Sequence, residues 1–212
     1  MCYVVLDFET TGLNYKEDDI IECAVIKLDD DLNEVSRFST FVHTEKVLSE
    51  RTMELTSITQ SDVENGMKIR HLYTILNSLI TSVDILVCHH VPFDSAFLSE
   101  LGIVASKYIC TKTLISAYEP NESSSLIAVC ARYNIKHENA HQAMSDVEAT
   151  ANILREFRDE LDDLSNTLIV KADRPLTFIP AFTKCIRLDE NFLPIQVLKK
   201  RREIKNEKTT YS

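Results

Sequence analysis

Acidic residues and histidines occur at three places in this 212-residue sequence where a predicted strand or helix begins or ends. At the first place, Asp7 and Glu9 follow the apolar run of residues 3–6, which is typical of a buried β-strand. Residues two apart on a strand point to the same face, so the two carboxylates could bind one divalent cation. An isolated pair of this kind is more often a pair of solvated side chains, and its surroundings must decide between these interpretations.

The other two places add two carboxylates and a histidine. Asp94 ends the sequence H-H-V-P-F-D, which follows a strand-like segment and leads into a predicted helix. His141 and Asp146 enclose H-Q-A-M-S-D, with Asp146 in the first turns of a long predicted helix. Taken singly, such an acid is a helix cap or a favourable charge, and a lone histidine is usually a surface or core residue. The occurrence of all five at element ends instead indicates a cleft at one edge of a sheet.

The hydrophobic periodicity predicts the elements that would bring these residues together. Strand-like segments at residues 3–6, 20–28 and 35–42 come first, with a turn at 29–33, and indicate three antiparallel strands. Strands then alternate with helices, which implies parallel pairing. The predicted order is helix 69–80, strand 85–88, helix 93–101, strand 108–110, helix 126–133 and a helix from Ala143 to about Leu161. We therefore expect an α/β fold with a mixed five-stranded sheet flanked by helices.

Beyond residue 162 the pattern returns to β-strand character. Strands are predicted at residues 167–172, 177–182, 184–188 and 192–198, the last two joined in a hairpin through 189–191. Three prolines in this segment weaken the sheet prediction. The predicted units are a main domain of residues 1–162, a small β-rich appendage of residues 163–198 and a disordered basic tail of residues 199–212.

The charge is negative overall and unevenly distributed. A formal net charge of −10 argues against a broad basic surface for duplex nucleic acid, because such binding depends on neutralising many phosphates. Residues 199–212 nevertheless hold six Lys or Arg and two Glu, a net +4. This tail could contact a nucleic-acid backbone, serve as a nuclear address in a eukaryote, or be merely a solvated end. Nucleic-acid contacts of the acidic body should be local or assisted by metal ions.

The composition is that of a globular protein, with 44% hydrophobic and 26% charged residues. Neither an apolar run of roughly 20 residues nor a signal-peptide pattern is present, so we expect a cytoplasmic protein without a membrane partner. The six cysteines are scattered without a C-x-x-C pair and indicate buried thiols rather than a disulfide framework. The strand-rich appendage offers edges through which dimers could form.

Three motifs, taken together, resemble those of a known family. D-F-E-T-T-G at residues 7–12, H-H-x-P-F-D at 89–94 and H-x-A-x-x-D at 141–146 are similar to the three exonuclease motifs of the DEDDh, or DnaQ-like, 3′-to-5′ exonucleases. The resemblance covers roughly residues 3–158 and implies a ribonuclease H-like fold. It departs at His90, where members usually carry asparagine, and at T-S-I-T, residues 56–59, where relatives often have H-G-I-T.

The resemblance implies hydrolysis of phosphodiesters with two divalent ions, and oxygen-only ligation favours Mg²⁺ or Mn²⁺. Asp7 would bridge both ions, Glu9 and Asp146 would complete one ion site, and Asp94 would serve the other. His141 would be the general base, since imidazole titrates near neutral pH. Further residues are expected to hold the terminal nucleotide or support the site: Thr10, Thr11, Leu13, Ile58, His89, His90 and Phe93.

The T-T-G of the first motif resembles proofreading exonucleases of the epsilon type, which favours the 3′ ends of single-stranded DNA as substrate. A separate DNA polymerase or a repair complex would then be a partner. The alternative substrate is RNA, as in the RNase T and oligoribonuclease relatives. A non-catalytic nucleic-acid-binding relative would be expected to lack a carboxylate or the histidine, and all five are present.

Overall fold

The computed structural model describes residues 1–161, 164–171 and 176–188. Its main feature is a mixed five-stranded sheet with the strand order β3-β2-β1-β4-β5. Strands β1, β2 and β3 pair antiparallel, whereas β4 and β5 continue the sheet in parallel with β1. The predicted α/β architecture is thereby confirmed. The strands are β1 (Tyr3–Thr10), β2 (Ile20–Leu28), β3 (Glu34–Phe41), β4 (Ile85–Cys88) and β5 (Lys107–Cys110).

Helices cover both faces of this sheet. One face packs against α3 and α4, and the other packs against α5, α6 and α7. The helices are α1 (Glu50–Thr56), α2 (Gln60–Glu64), α3 (Ile69–Leu79), α4 (Val91–Glu100), α5 (Thr111–Tyr118), α6 (Leu126–Tyr133) and α7 (Ala143–Glu156).

Strand β1 lies at the centre of the sheet and is buried on both sides. Tyr3 and Val5 pack toward α5, α6 and α7, whereas Val4 and Leu6 pack toward α3 and α4. This alternation follows from the two-residue period of a strand and explains why the segment reads as a continuous apolar run. Asp7 and Glu9 continue the series that begins with Tyr3 and Val5, so they emerge on the side where α7 crosses the sheet.

The C-terminal part differs from the sequence prediction. Strands β6 (Thr167–Lys171) and β7 (Lys184–Leu188) form a parallel pair. The predicted strand at 177–182 is wrong, because Pro180 has no N–H to donate and Phe182 has a left-handed backbone with φ of 63°. The predicted strand 192–198, its hairpin turn and the basic tail lie outside the described residues.

Strand β6 and the residue before it are attached to β5 and α5 by hydrogen bonds and apolar packing. The Tyr108 N–H donates to Asn166 Oδ1 at 2.7 Å, and the Ile169 N–H donates to Thr113 Oγ1 at 3.3 Å. Leu168 is 1% exposed and belongs to the core on the α3 and α4 side. The division of the chain into separate units at residue 162 stays a prediction.

Two smaller expectations can also be compared with the structure. Helix α7 ends at Glu156 rather than near Leu161, and a short 3-10 turn follows at Arg158–Glu160. All six cysteines are free thiols, and four of them are buried as predicted: Cys23, Cys88, Cys110 and Cys130. The prediction is wrong for Cys2, which is half-buried, and for Cys185, which is exposed. No helix in the described part of the chain is long and apolar enough to cross a lipid bilayer.

Candidate active site

The site is built at the edge of the sheet where the parallel strands β1 and β4 end. Asp7 and Glu9 lie on the last part of β1, and the intervening Phe8 is buried in the core on the opposite face. Glu9 is paired in register with Glu22 of β2, and the register shifts immediately after Glu9. The shift interrupts the regular ladder beside the two carboxylates.

Helix α4 places Asp94 at the same edge of the sheet. Only two residues separate the end of β4 from this helix, and Pro92 lies in its first turn, a position that suits proline because its missing N–H is not needed there. Asp94 is 2% exposed and accepts a hydrogen bond from the Phe8 N–H at 3.3 Å. Because the pairing of β1 with β4 ends at Val5, this carboxylate satisfies a backbone donor beyond the parallel ladder.

His141 and Asp146 are placed by the N-terminus of α7. The Ala143 N–H donates to Glu22 Oε2 at 3.1 Å, which fixes the start of the helix to β2. Asp146 lies one turn further on and is buried. His141 has a positive φ of 65°, which is strained for a residue with a side chain and is typical of functional positions.

Two residues that sequence reasoning missed contact these groups. His137 Nε2 lies 2.6 Å from Asp146 Oδ1, and the imidazole is 4% exposed. Glu22 is 8% exposed and adds a further carboxylate beside Glu9. The sequence offered weak hints only: a second histidine four residues before His141, and an acid inside an otherwise apolar strand.

The carboxylates share a strongly unfavourable electrostatic environment. Burial, followed by repulsion from Asp94, Asp146 and Glu9, holds the pKa of Asp7 well above its ordinary value. Burial and the negative charge of Asp146 raise the pKa of Glu9 to about 8. Burial likewise raises the pKa of Asp94 to about 7, against the opposing hydrogen bond from Phe8. Such a cluster is costly to ionise without a compensating positive charge.

Bound divalent cations would supply that charge, and the donor set fits them. The donor atoms of Glu9, His141 and Asp146 lie within 4.8 Å of one another. Asp146 also has a raised pKa, caused by burial and opposed by His137. Clustered carboxylate oxygens suit hard cations such as Mg²⁺ and Mn²⁺, and the imidazole beside them could bind a metal or accept a proton.

All five predicted catalytic residues line one cavity of about 650 Å³. It lies between the edge of the sheet and helix α1, which contributes Arg51 and Leu55 to the wall. Leu55 is 51% exposed and Arg51 is also exposed, so both are free to meet a ligand. A cavity of this size, partly apolar and with convergent polar groups, has the properties of a small-molecule or nucleotide site.

A model of the exonuclease family matches residues 4–154, which is more than half of the chain. The chain belongs to the DnaQ-like exonuclease family. The family resemblance predicted from the three motifs is confirmed.

Several curated relatives of this exonuclease domain are DNA polymerase III proteins of the PolC type. The protein of Latilactobacillus sakei is 32% identical over 165 residues, which cover 74% of this chain and 11% of the relative. The protein of Bacillus subtilis is 31% identical over 160 residues, which cover 72% of this chain and 11% of the relative. The chain therefore spans about a tenth of the length of these relatives.

Solved structures resemble the exonuclease domain in fold. E. coli exonuclease I in complex with a dT13 oligonucleotide has a TM-score of 0.67 at 18% identity, covering 77% of this chain and 42% of that one. Exonuclease X in complex with 5′ overhanging duplex DNA has a TM-score of 0.62 at 20% identity, covering 84% and 97%. The predicted ribonuclease H-like architecture is confirmed.

The structure brings six of the seven predicted substrate-contact or supporting residues to the cavity of the exonuclease domain and leaves one out. Ile58 is 2% exposed and packs with Ile21, Leu48 and Val63 instead of lining the cavity. Leu55 of α1 occupies the wall in its place. The six residues that do line the cavity are Thr10, Thr11, Leu13, His89, His90 and Phe93.

Three of these six use their polar side chains within the protein. Thr10 Oγ1 donates to the Gly12 carbonyl at 2.6 Å, and Thr11 Oγ1 bonds Asp18 and the Asp19 N–H, each at 3.0 Å. The ring nitrogens of His89 bond Thr111 Oγ1 and the Ser124 carbonyl, each at 2.9 Å. Burial lowers the pKa of His89 to about 4, so the ring is a neutral support.

Gly12, the last residue of the first motif, lies against the side chain of Asp18. In the structure a Cβ at this position would lie 2.5 Å from Asp18 Oδ2, so the glycine makes room for that carboxylate. Leu13 follows and is 82% exposed at the mouth of the cavity.

Proposed function

We propose that this DnaQ-like exonuclease domain removes nucleotides one at a time from the 3′ end of single-stranded DNA by two-metal hydrolysis. The observation that carries the proposal is the convergence of four carboxylates and His141 on one cavity, with donor atoms of Glu9, His141 and Asp146 within 4.8 Å of one another. The released products would be nucleoside 5′-monophosphates.

Asp7, Glu9, Asp94 and Asp146 would hold the metal ions, because they are clustered, at least half-buried and acceptor-only when ionised. When bound, two divalent ions would activate water and stabilise the charge that develops on the phosphate and the leaving oxygen. Their charge would also offset the repulsion between the carboxylates and the phosphate, which an acidic protein must overcome.

His141 would act as the general base. It lies beside the carboxylates, where it can accept a proton from the attacking water. Water oxygen forms the new bond to phosphorus, and the bond to the 3′ oxygen of the neighbouring nucleotide breaks. That oxygen leaves with a proton as the new 3′ hydroxyl, and the phosphate stays on the 5′ carbon of the departing nucleotide.

Support for single-stranded DNA comes from three directions. The first motif carries T-T-G. The curated relatives are DNA polymerase III proteins, and the similar exonuclease I structure contains a dT13 oligonucleotide. Leu13 and Leu55 present apolar side chains at the cavity, which would contact bases without regard to sequence. Association with a separate DNA polymerase is a further proposal, supported by the names of the PolC-type relatives alone.

The decisive experiment follows a 5′-labelled single strand of DNA and one of RNA with Mg²⁺, with Mn²⁺ and with EDTA. We expect a ladder of shortening DNA with either metal, slower or absent trimming of RNA, and no reaction in EDTA. Asp7→Asn should remove the activity, whereas Asp30→Asn should not, because Asp30 is exposed at the opposite end of the sheet. Preferential trimming of RNA would show that RNA rather than DNA is the substrate. Activity in EDTA would contradict the metal mechanism.

A further inference from the structure

Helix α1 carries a cation that has no role in the reaction described above. Arg51 lines the active-site cavity of about 650 Å³, and its side chain is exposed. Four carboxylates line the same cavity. In the part of the chain that the structure describes, the Arg51 guanidinium nevertheless forms no ion pair with an acid. It is therefore available to an anionic group of a ligand, and its forked donors match the oxygens of a phosphate.

The packing of α1 turns this arginine toward the cavity together with a leucine. Thr52 and Thr56 are the buried residues of the helix, and Thr52 Oγ1 donates to the Thr11 carbonyl at 3.5 Å. Residues four apart lie on the same face of a helix, so Arg51 and Leu55 form a second face, which is exposed. This face presents one cationic and one apolar side chain, one helical turn apart, to the cavity.

The stability of α1 does not account for the arginine. Arg51 lies in the first turn of the helix, directly after the N-cap Ser49 and Glu50. The N-terminus of a helix carries a partial positive charge, so an acid such as Glu50 is favourable there and a cation is unfavourable. Arg51 thus neither suits the helix dipole nor pairs with an acid, which favours a role in ligand binding.

The chemistry of a terminal nucleotide limits what this arginine can bind. A nucleotide is negatively charged at its 5′ phosphate and, where one is present, at a 3′ phosphate. In the proposed mechanism the 5′ phosphate is the scissile group at the edge of the sheet, and the rest of the strand leaves from that phosphate. The cavity extends from the sheet edge to α1, so the nucleoside fills the space between them with its base on Leu55. The anion that remains within reach of Arg51 is a phosphate on the terminal 3′ oxygen.

We propose that Arg51 binds the terminal phosphate of a strand that ends in a 3′ phosphate, so that the protein also removes 3′-phosphorylated nucleotides. The proposal rests on the proposed exonuclease function and deepens it, because it adds a class of blocked 3′ ends to the substrates. A water oxygen bonds to the phosphorus of the scissile phosphodiester, and the 3′ oxygen of the preceding nucleotide leaves with a proton as a new 3′ hydroxyl. The product is a nucleoside 3′,5′-bisphosphate, in which the bond to the 3′ phosphate is intact.

The test compares two oligothymidylates with the same 5′ label, one ending in a 3′ hydroxyl and the other in a 3′ phosphate. With Mg²⁺ we expect the wild-type protein to shorten both, and mass spectrometry should identify thymidine 3′,5′-bisphosphate from the phosphorylated strand. For Arg51→Met, the ratio of kcat/KM for the phosphorylated strand to kcat/KM for the hydroxyl strand should fall about 10- to 100-fold, the loss expected for a charged hydrogen bond. Arg51→Lys keeps the charge without the fork and should lose part of this ratio.

Two further variants and an inhibition assay separate this role from a structural one. Arg70→Met removes an exposed arginine on α3, outside the cavity, and should keep the wild-type ratio. Leu55→Ala removes the proposed contact with the base, so it should slow the cleavage of both strands and also keep the ratio. Thymidine 3′,5′-bisphosphate should inhibit the wild type more strongly than thymidine 5′-monophosphate does, and Arg51→Met should remove most of this difference.

The outcomes distinguish this proposal from the exonuclease assignment. A wild-type protein that leaves both strands intact in Mg²⁺ and in Mn²⁺ contradicts the exonuclease function itself. A wild-type protein that shortens the hydroxyl strand alone overturns only the 3′-phosphate site, as does an Arg51→Met variant that keeps the wild-type ratio. Release of inorganic phosphate before any shortening would also overturn this site, because the phosphorylated strand would then have become a hydroxyl strand before its cleavage.

Discussion

At the scale of single residues, the site combines groups with opposite requirements. Asp94 is buried, Asp7 and Glu9 are half-buried, and all three carboxyl groups have raised pKa values, so each is costly to ionise until a cation arrives. His141 lies beside them on a backbone with φ of 65°, a conformation that the surrounding structure must hold in place. Metal binding and proton transfer therefore depend on residues that do not themselves react.

His141 is the residue whose removal tests proton transfer most directly. For His141→Ala with saturating Mg²⁺ we expect kcat to fall about 10²- to 10⁴-fold, the usual contribution of a general base. Circular dichroism and the thermal midpoint should stay close to those of the wild type, because the side chain is only half-buried. His71→Ala, at an exposed position on α3, is the matched control. A kcat within a few-fold of the wild type would contradict the assignment of His141 as base.

His137 is expected to be a positioning residue that acts through Asp146. Replacing His137 by Leu removes the 2.6 Å contact to Asp146 Oδ1 and leaves that carboxylate free to rotate. We predict that the Mg²⁺ concentration for half-maximal activity rises about 10- to 100-fold, as is typical when the partner of a metal ligand is lost. His137→Gln keeps an N–H donor and should recover part of the affinity. If both variants show wild-type metal dependence, the contact is structural.

At the scale of elements, the site depends on how α4 and α7 are fixed to the sheet. Asp94 links α4 to β1 through the Phe8 N–H, and Glu22 links the start of α7 to β2 through the Ala143 N–H. Both links use carboxylates as acceptors for backbone donors at positions where the ladder or the helix leaves them unpaired. The same carboxylates thus fix the helices to the sheet and contribute to the negative charge of the site.

Substitutions of Glu22 can separate its hydrogen bond to the Ala143 N–H from its negative charge at the site. Glu22→Gln keeps an oxygen that accepts from Ala143 but removes a buried negative charge, whereas Glu22→Ala removes both. At pH 8 without metal we expect Glu22→Gln to be at least as stable as the wild type. Glu22→Ala should be less stable than Glu22→Gln by about 1–3 kcal/mol, the cost of an unsatisfied buried N–H. Urea denaturation measures both, and equal stabilities would show that the hydrogen bond contributes nothing.

Sequence periodicity predicted the elements that are long or that have one apolar and one polar face. It missed helices α1, α2 and α5, which have neither property. Helices α1 and α2 are too short to establish a 3.6-residue pattern, although the capping box of Thr59 and Asp62 was readable. Helix α5 is buried on nearly all sides, so it has no polar face to reveal the period. Of the site, the five residues in the motifs were predicted, whereas His137, Glu22 and Arg51 required the folded structure. Glu22 and Arg51 lie far in sequence from the residues they meet, and His137 lies outside the three motifs.

At the scale of the whole molecule, an acidic body must concentrate still more negative charge at one edge of its sheet. The net charge is −10, and the cavity that would receive a polyanionic strand is lined by four carboxylates. Arg51 lies in the wall of this cavity and forms no ion pair among the described residues. Productive binding should therefore depend strongly on divalent metal and more weakly on monovalent salt than in a protein with a broad basic face.

The same concentration of charge makes the stability of the metal-free protein fall as pH rises. Glu9 and Asp94 have folded-state pKa values of about 8 and about 7, and that of Asp7 is also well raised, so between pH 7 and 8.5 the folded state holds protons that the unfolded chain has released. Each such carboxyl can contribute a slope of up to about 1.4 kcal/mol per pH unit, with stability lost as pH rises through the folded pKa. His89 and His90, whose folded-state pKa values are about 4, oppose this trend only weakly, because above pH 7 the unfolded chain has also released most of the protons of these two residues.

Urea denaturation in EDTA at steps from pH 7 to 8.5 should therefore show a falling free energy of unfolding, and Mg²⁺ should restore most of the loss at the upper end. The restoration is expected to grow with pH, because protons and metal compete for the same oxygens. Glu9→Gln cannot titrate and should show a shallower decline in EDTA, whereas Asp30→Asn should follow the wild type. A free energy of unfolding that is flat with pH in EDTA, or insensitive to Mg²⁺ at pH 8.5, would mean that these carboxylates do not form one metal-binding cluster.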